Sequence, residues 1–263
     1  MNHRTTTALI TGASGGIGYE LAKLFARDHH NLVLVARSGE RLSEIGGELQ
    51  RQFGVSVRPI ALDLTEPPAA RFLFDQLQRE GIAVDFLVNN AGFGKLGMFA
   101  EVPLEDDLGQ IQLNIAALTA LTKLFVGPML ERRLGRIMNV ASTAGFQPGP
   151  LMAVYYASKA YVISLSEAIA NELAGSGVTV TCLCPGATDT GFARRAGNER
   201  SRLFQKVAPM DANTVARAGY RGMMKGKTLV IPGRRNWLVA ESVRFAPRKM
   251  VTAISRWVSE KAE

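Results

Sequence analysis

Short, continuous apolar runs alternate along the chain with longer segments whose apolar positions recur every three or four residues. The runs TALITG, NLVLVAR, VSVRPIALD, VDFLVNN, GRIMNVAS, VTVTCLCPG and TLVIPG are rich in β-branched residues. Continuity, rather than strict alternation, predicts strands covered on both faces. Between them, GYELAKLFARDH and SKAYVISLSEAIANELAGSG carry a helical period, and Gly81 and Gly175 stand where helices should stop. Alternation of this kind predicts an α/β fold, with one doubly wound parallel sheet of about seven strands flanked by helices.

Composition supports a packed domain. Of 263 residues, 47% are apolar and 21% charged, enough to bury a sizeable core. A single catalytic domain is expected over residues 1–233, with a helical extension over 234–263. The N-terminal MNHRTTTALITG lacks a secretory pattern. No apolar run reaches the roughly 18 residues of a spanning helix, the longest being cut by Lys123 or by glycines. The expected location is the cytoplasm. Cys182 and Cys184 suit neither a redox motif nor a zinc site and read as buried thiols, and no metal cluster is expected. His3, His29 and His30 look peripheral.

Charge changes the picture at the C-terminus. Residues 191–263 hold 16 of the 31 basic residues but only 5 of the 23 acidic ones. After Pro247, Met250, Val251, Ile254, Trp257 and Val258 share one helical face, with Arg and Lys opposite. Such a basic amphipathic helix admits three roles: cover over a pocket, subunit docking, or contact with an anionic membrane surface. No nucleic-acid module accompanies the charge, so nucleic acid is not an expected partner.

The first chemical signal follows the first strand. TALITGASGGIGYELAKLF places Gly12, Gly16 and Gly18 at a strand-to-helix turn. Glycines there permit a tight turn and close approach to a pyrophosphate, while the helix N-terminus offers free N–H groups. The spacing is GxxxGxG, which differs from both the commonest dinucleotide fingerprint and the P-loop. At the end of the second strand, the place of a ribose-binding acid is taken by Ala36 and then Arg37. A guanidinium there suits a 2′-phosphate and predicts NADP rather than NAD, with Ser14 and Ser38 as further hydroxyl donors.

In order along the chain come TGASGGIG, Asp63, NNAG at 89–92, Ser142, YYASK at 155–159 and PGATDT at 185–190. Together they resemble the short-chain dehydrogenase/reductase family in its form of about 250 residues, over roughly residues 5–191, with a Rossmann-type sheet. More loosely, the chain resembles bacterial reductases of the 3-ketoacyl and 17β-hydroxysteroid branches. The resemblance implies a cofactor turn of Gly12, Ser14, Gly15, Gly16, Ile17 and Gly18. It implies adenine contacts from Asp63 and Leu64, and a strand-linking, ribose-bordering Asn90 followed by Ala91 and Gly92. Pro185, Gly186, Thr188 and Thr190 would line the nicotinamide. The implied catalytic set is Asn114, which bends its helix and orders a water, with Ser142, Tyr155 and Lys159. Relatives form dimers or tetramers through the helices carrying Asn114 and Tyr155.

Three tyrosines surround the lysine. Tyr155 and Tyr156 lie four and three residues before Lys159, so helical geometry admits both, whereas Tyr161 points elsewhere into packing. The family pattern YxxxK selects Tyr155. Lys159 and an oxidised nicotinamide would then lower the phenol's pKa by about two to three units, roughly 3–4 kcal/mol. The expected activity is NADPH-dependent reduction of a carbonyl, a ketone or aldehyde such as a 3-oxoacyl or other lipid-like compound. Ser142 would stabilise the developing oxyanion. A non-enzymatic NADP-binding sensor on the same fold is the alternative. Residues 188–210, with several arginines and Phe192, Leu203 and Phe204, form the expected substrate loop. Phe93, Phe146, Leu151 and Met152 should make the pocket apolar.

Overall fold

The computed structural model describes residues 6–199, 201, 202, 205 and 208–260, so Leu203, Phe204 and His3 lie outside the described residues. The seven apolar runs form one sheet. In chain order the strands are β1 (Thr7–Thr11), β2 (Asn31–Ala36), β3 (Val57–Ala61), β4 (Phe86–Asn89), β5 (Gly135–Val140) and β6 (Val178–Leu183). Two short strands, β7 (Thr188–Asp189) and β8 (Met210–Asp211), pair apart from it, and β9 (Leu229–Val230) completes the edge. The large sheet has the order β3-β2-β1-β4-β5-β6-β9, and every pairing in it is parallel. The order reverses between β1 and β4, so helices leave the sheet in opposite directions there and open a crevice at the strand ends.

One face is packed by α1 (Gly16–Arg27) and α2 (Gly39–Phe53), with Leu21, Phe25, Leu42, Ile45 and Leu49 fully buried. The opposite face carries α3 (Ala69–Arg79) and a long helix built of three segments. These are α4 (Leu104–Ile111), a π-helical turn over Gln112–Ala117, and α5 (Leu118–Glu131). Next come α6 (Ala153–Glu172), α7 (Phe192–Ala196) and α8 (Ala212–Met224), the last on the side of α1. Two helices, α9 (Arg234–Ser242) and α10 (Arg248–Ser259), follow, joined by a short 3-10 turn.

Some expectations need correction. The helix Leu104–Glu131 is long and apolar enough by length and composition to cross a membrane, so Lys123 and the glycines do not cut it. Packing explains part of its apolar content: Leu121, Phe125 and Met129 lie under the sheet with α3. His30 is not peripheral, since its ring stacks near Phe25 and Phe86 at 5.7 and 4.8 Å. Tyr161 is partly exposed rather than packed, with its hydroxyl 3.1 Å from Thr119 Oγ1. On α10, the buried stripe is Val251, Ser255 and Ser259, and Met250, Ile254 and Trp257 stand outside it. Cys182 and Cys184 are the buried free thiols expected, 3.6 Å apart.

A candidate active site at the sheet crossover

A cavity of about 1420 Å³ opens at the crevice and gathers residues from most of the chain. The turn after β1 forms its floor. Gly12 has φ +65, and a Cβ there would meet Asn90 Nδ2 at 2.8 Å and Ala91 Cα at 3.0 Å. Asn90 Nδ2 donates to the carbonyls of Thr11 and Gly12, tying β1 to the end of β4. No side chain caps the start of α1, and its first turn holds no acid. The N–H groups there are left for a ligand, and the helix dipole favours an anion. Ser14, Gly15, Gly16 and Ile17 all line the cavity.

The adenosine-side candidates also converge. Arg37 is exposed at the end of β2 and lines the cavity with Ser38, Asp63 and Leu64. One Asp63 oxygen accepts from the Thr65 N–H and hydroxyl at 2.9 and 2.7 Å. Those bonds, together with Arg37 nearby, outweigh partial desolvation and hold the carboxyl below its usual range. Ser38 caps α2 by accepting from Arg41 N, so its hydroxyl hydrogen remains available.

At the other end stand the four catalytic candidates. Asn114 sits inside the π turn, fully buried. Its Oδ1 accepts from Phe93 N at 3.2 Å, and its Nδ2 donates to Phe93 O at 2.9 Å and Ser158 Oγ at 3.1 Å. The amide ties the π turn to the loop at Phe93 and to α6, which accounts for an asparagine within an apolar helix. Ser142, after β5, accepts from Ala144 N at 3.1 Å and lies 3.3 Å from Pro185 O. Its single hydrogen goes to that carbonyl. Lys159 Nζ donates to Val140 O at 3.0 Å and lies 5.7 Å from the Tyr155 ring centroid.

Burial sets the starting state of the phenol. Burial pushes the Tyr155 pKa well above its usual value, the Ser142 hydroxyl pulls back only partly, and Tyr156 adds to the rise. Lys159 does not make Tyr155 acidic in the protein alone, because its ammonium faces the ring and the Val140 carbonyl. Burial also lowers Lys159 from 10.5 to about 8, with weak opposition from Cys182 and Cys184. In the unfolded chain this lysine keeps its proton to about 10.4. Below pH ~8 it is charged in both states, and the folded state bears the full cost, of order 3 kcal/mol. That cost fades as pH rises from about 8 to about 10.4, so the stability contribution improves over that window. Lys159→Met is expected to raise the thermal midpoint of the ligand-free protein at pH 7, less whatever the Val140 hydrogen bond contributes. A lowered midpoint in calorimetry would count against this account.

Thr188 is buried and donates to Gly186 O at 2.9 Å, and Thr190 caps α7 through Phe192 N at 3.2 Å. Both line the cavity, as do Pro185, Gly186, Asn90, Ala91 and Gly92. Of the expected apolar lining, Phe93 and Met152 take part, and so does Phe192, whose ring is 5.1 Å from Tyr155. Phe146 instead packs beside Cys182 and Cys184, and Leu151 also lies off the wall. No motif or periodicity marked Gln147, Asn198 and Ser255, which line the cavity with buried side-chain oxygens that lack a hydrogen-bond partner among the described residues.

A parallel sheet with a glycine-tight turn at its crossover, facing a half-buried Ser and a buried Tyr and Lys, is the architecture of a nucleotide-dependent oxidoreductase. The family profile for short chain dehydrogenase matches residues 6–201, and the chain belongs to that family. A putative ketoacyl reductase of the granaticin polyketide synthase from Streptomyces violaceoruber is 39% identical over 75% of this chain and 73% of its own length. A Sphingobium yanoikuyae short-chain dehydrogenase, solved with NADPH, superposes with TM-score 0.82 at 34% identity, covering 91% of this chain and 93% of that one. A Burkholderia phymatum relative, solved with NAD, gives TM-score 0.82 at 25% identity over 100% and 99% of the two chains. Other curated relatives are longer, and the chain spans only 54 to 60% of their length.

Proposed function

We propose that this protein is an NADP-dependent carbonyl reductase acting on a ketone or aldehyde with an apolar or acyl body. A nicotinamide dinucleotide fits the cleft. The crowded positions of Gly12 and Gly18 leave no room for side chains, and the uncapped N-terminus of α1 supplies donors for a pyrophosphate. Gly12, Ser14, Gly15, Gly16, Ile17 and Gly18 would hold the phosphates. Asp63, Leu64, Asn90, Ala91 and Gly92 would hold the adenosine, and Pro185, Gly186, Thr188 and Thr190 the nicotinamide. When bound, that group supplies the hydride.

The observation that carries the reading is that Ser142, Tyr155 and Lys159 line one cavity, where burial holds the phenol above its usual pKa and so protonated. A phenol that retains its proton is a donor, which is what reduction of a carbonyl needs. Tyr155 Oη gives its proton to the carbonyl oxygen, and the Ser142 hydroxyl turns from Pro185 O to donate to the same oxygen. Asn114 and Lys159 meet around Gly92, where a Cβ would lie 3.0 Å from Asn114 Oδ1 and 3.4 Å from Lys159 Nζ. From there Lys159 holds the ribose and passes a proton back to the phenolate.

Selection of NADP rests on Arg37, which lines the cleft where an acidic residue would repel a 2′-phosphate. Arg37→Asp should shift the ratio of NADP to NAD affinity by tenfold or more toward NAD, as measured by titration calorimetry. An unchanged ratio would remove the basis for NADP. Subunit pairing is proposed through the exposed apolar face of Leu104, Leu108 and Ile111 with Tyr161.

A further inference from the structure

The C-terminal segment rests on the body through a narrow stripe. Val251, Ser255 and Ser259 are buried, and Arg202 Nη1 donates to Trp257 O at 3.1 Å and to Glu260 at 2.9 Å. Much apolar surface remains outside. Trp237 and Leu238 on α9 are 51% and 60% exposed, Trp257 on α10 is 49%, and Phe245 on the connecting turn is 87%. Val239, Met250 and Ile254 line the cavity yet are about half-exposed, which places them at its mouth. A rim of this kind exceeds the scattered apolar residues of an ordinary surface.

Cations accompany it. Arg234, Arg235, Arg248 and Lys249 are exposed and have no ion-pair partner among the described residues. The two described acids of this segment are already engaged, Glu241 with Arg244 and Glu260 with Arg202 and Arg256. The segment thus shows exposed tryptophans, a protruding phenylalanine and unneutralised positive charge. A second copy meeting it about a twofold axis would set this charge against itself. An anionic bilayer supplies the opposite sign, and its interface accepts tryptophan and phenylalanine.

We propose that α9, the turn at Phe245 and α10 form a docking face for an anionic membrane surface, with the mouth of the cavity turned toward the lipid. The assignment does not depend on the cofactor or the reaction.

The test uses the full chain and its own reporters, because Trp237 and Trp257 are the only two tryptophans in the sequence. Phosphatidylcholine vesicles doped with phosphatidylglycerol should bind the protein and shift its tryptophan emission to the blue. Undoped vesicles, or high salt, should weaken binding by tenfold or more. Phe245→Ser and the double variant Arg248→Glu, Lys249→Glu should each lose binding with unchanged thermal midpoints. The proposal is overturned by equal binding to both vesicle types or by none at all. It is also overturned if light scattering shows an oligomer that Phe245→Ser dissolves, since the face would then be a protein interface.

Discussion

Tyr155→Phe is expected to lower NADPH-dependent ketone reduction by about a thousandfold, close to 4 kcal/mol of transition-state stabilisation. Nucleotide affinity should stay within a few-fold. The substitution keeps the ring among Phe192, Tyr156 and Met152 and removes only the hydroxyl. Tyr156→Phe is the control. Its ring packs over Gly149, and it falls outside the family pattern YxxxK, so turnover should fall little. Stopped-flow loss of NADPH absorbance with a panel of ketones, beside nucleotide titrations of each variant, separates the two. Should Tyr156→Phe be the inactive protein, the assignment of the proton donor is wrong. Should both variants turn over normally, the proposed chemistry is wrong as well.

The central strands were legible because they are buried on both faces, which writes an unbroken apolar run into the sequence. β7 and β8 were not, since two residues have no period to detect. Gly109, Gly127 and Lys123 read as breaks, yet the helix continues through them. A helical glycine costs only about 1 kcal/mol, less than packing on the sheet returns. Periodicity grouped Met250, Val251, Ile254 and Val258 on one face of α10, and all four line the cavity; it missed Ser255 and Ser259, which are buried with Val251. The family motifs placed the catalytic candidates at one end of the cleft. They could not reveal how burial raises the Tyr155 phenol in the protein alone. Nor could they show Asn236 lying where a Cβ on Gly186 would fall, 2.7 Å away, which ties the C-terminal segment to the PG turn.

The last prediction separates two uses of glycine within seven residues. In Gly18→Ala, the new Cβ would overlap the Gly12 carbonyl oxygen and lie 2.6 Å from Asn90 Nδ2. The carbonyl belongs to the backbone, and Asn90 is held by Thr11 and Gly12, so neither can yield without lifting α1 from β1. Overpacking of this kind costs about 1–3 kcal/mol, and the displaced helix N-terminus should weaken NADP binding by tenfold or more. Gly15→Ala is the counterpart. Nothing lies within 4 Å of its added Cβ, and its φ of 176 is extended backbone open to any residue. Its thermal midpoint should be unchanged, so any loss of nucleotide affinity there reports contact with the ligand alone. Calorimetric unfolding beside NADP titration of both variants reads the difference. A Gly18→Ala protein as stable and as tightly bound as the parent would show that the turn is not the rigid phosphate cradle its crowding implies. Without that cradle, the nicotinamide end of the cleft would lose its anchor too.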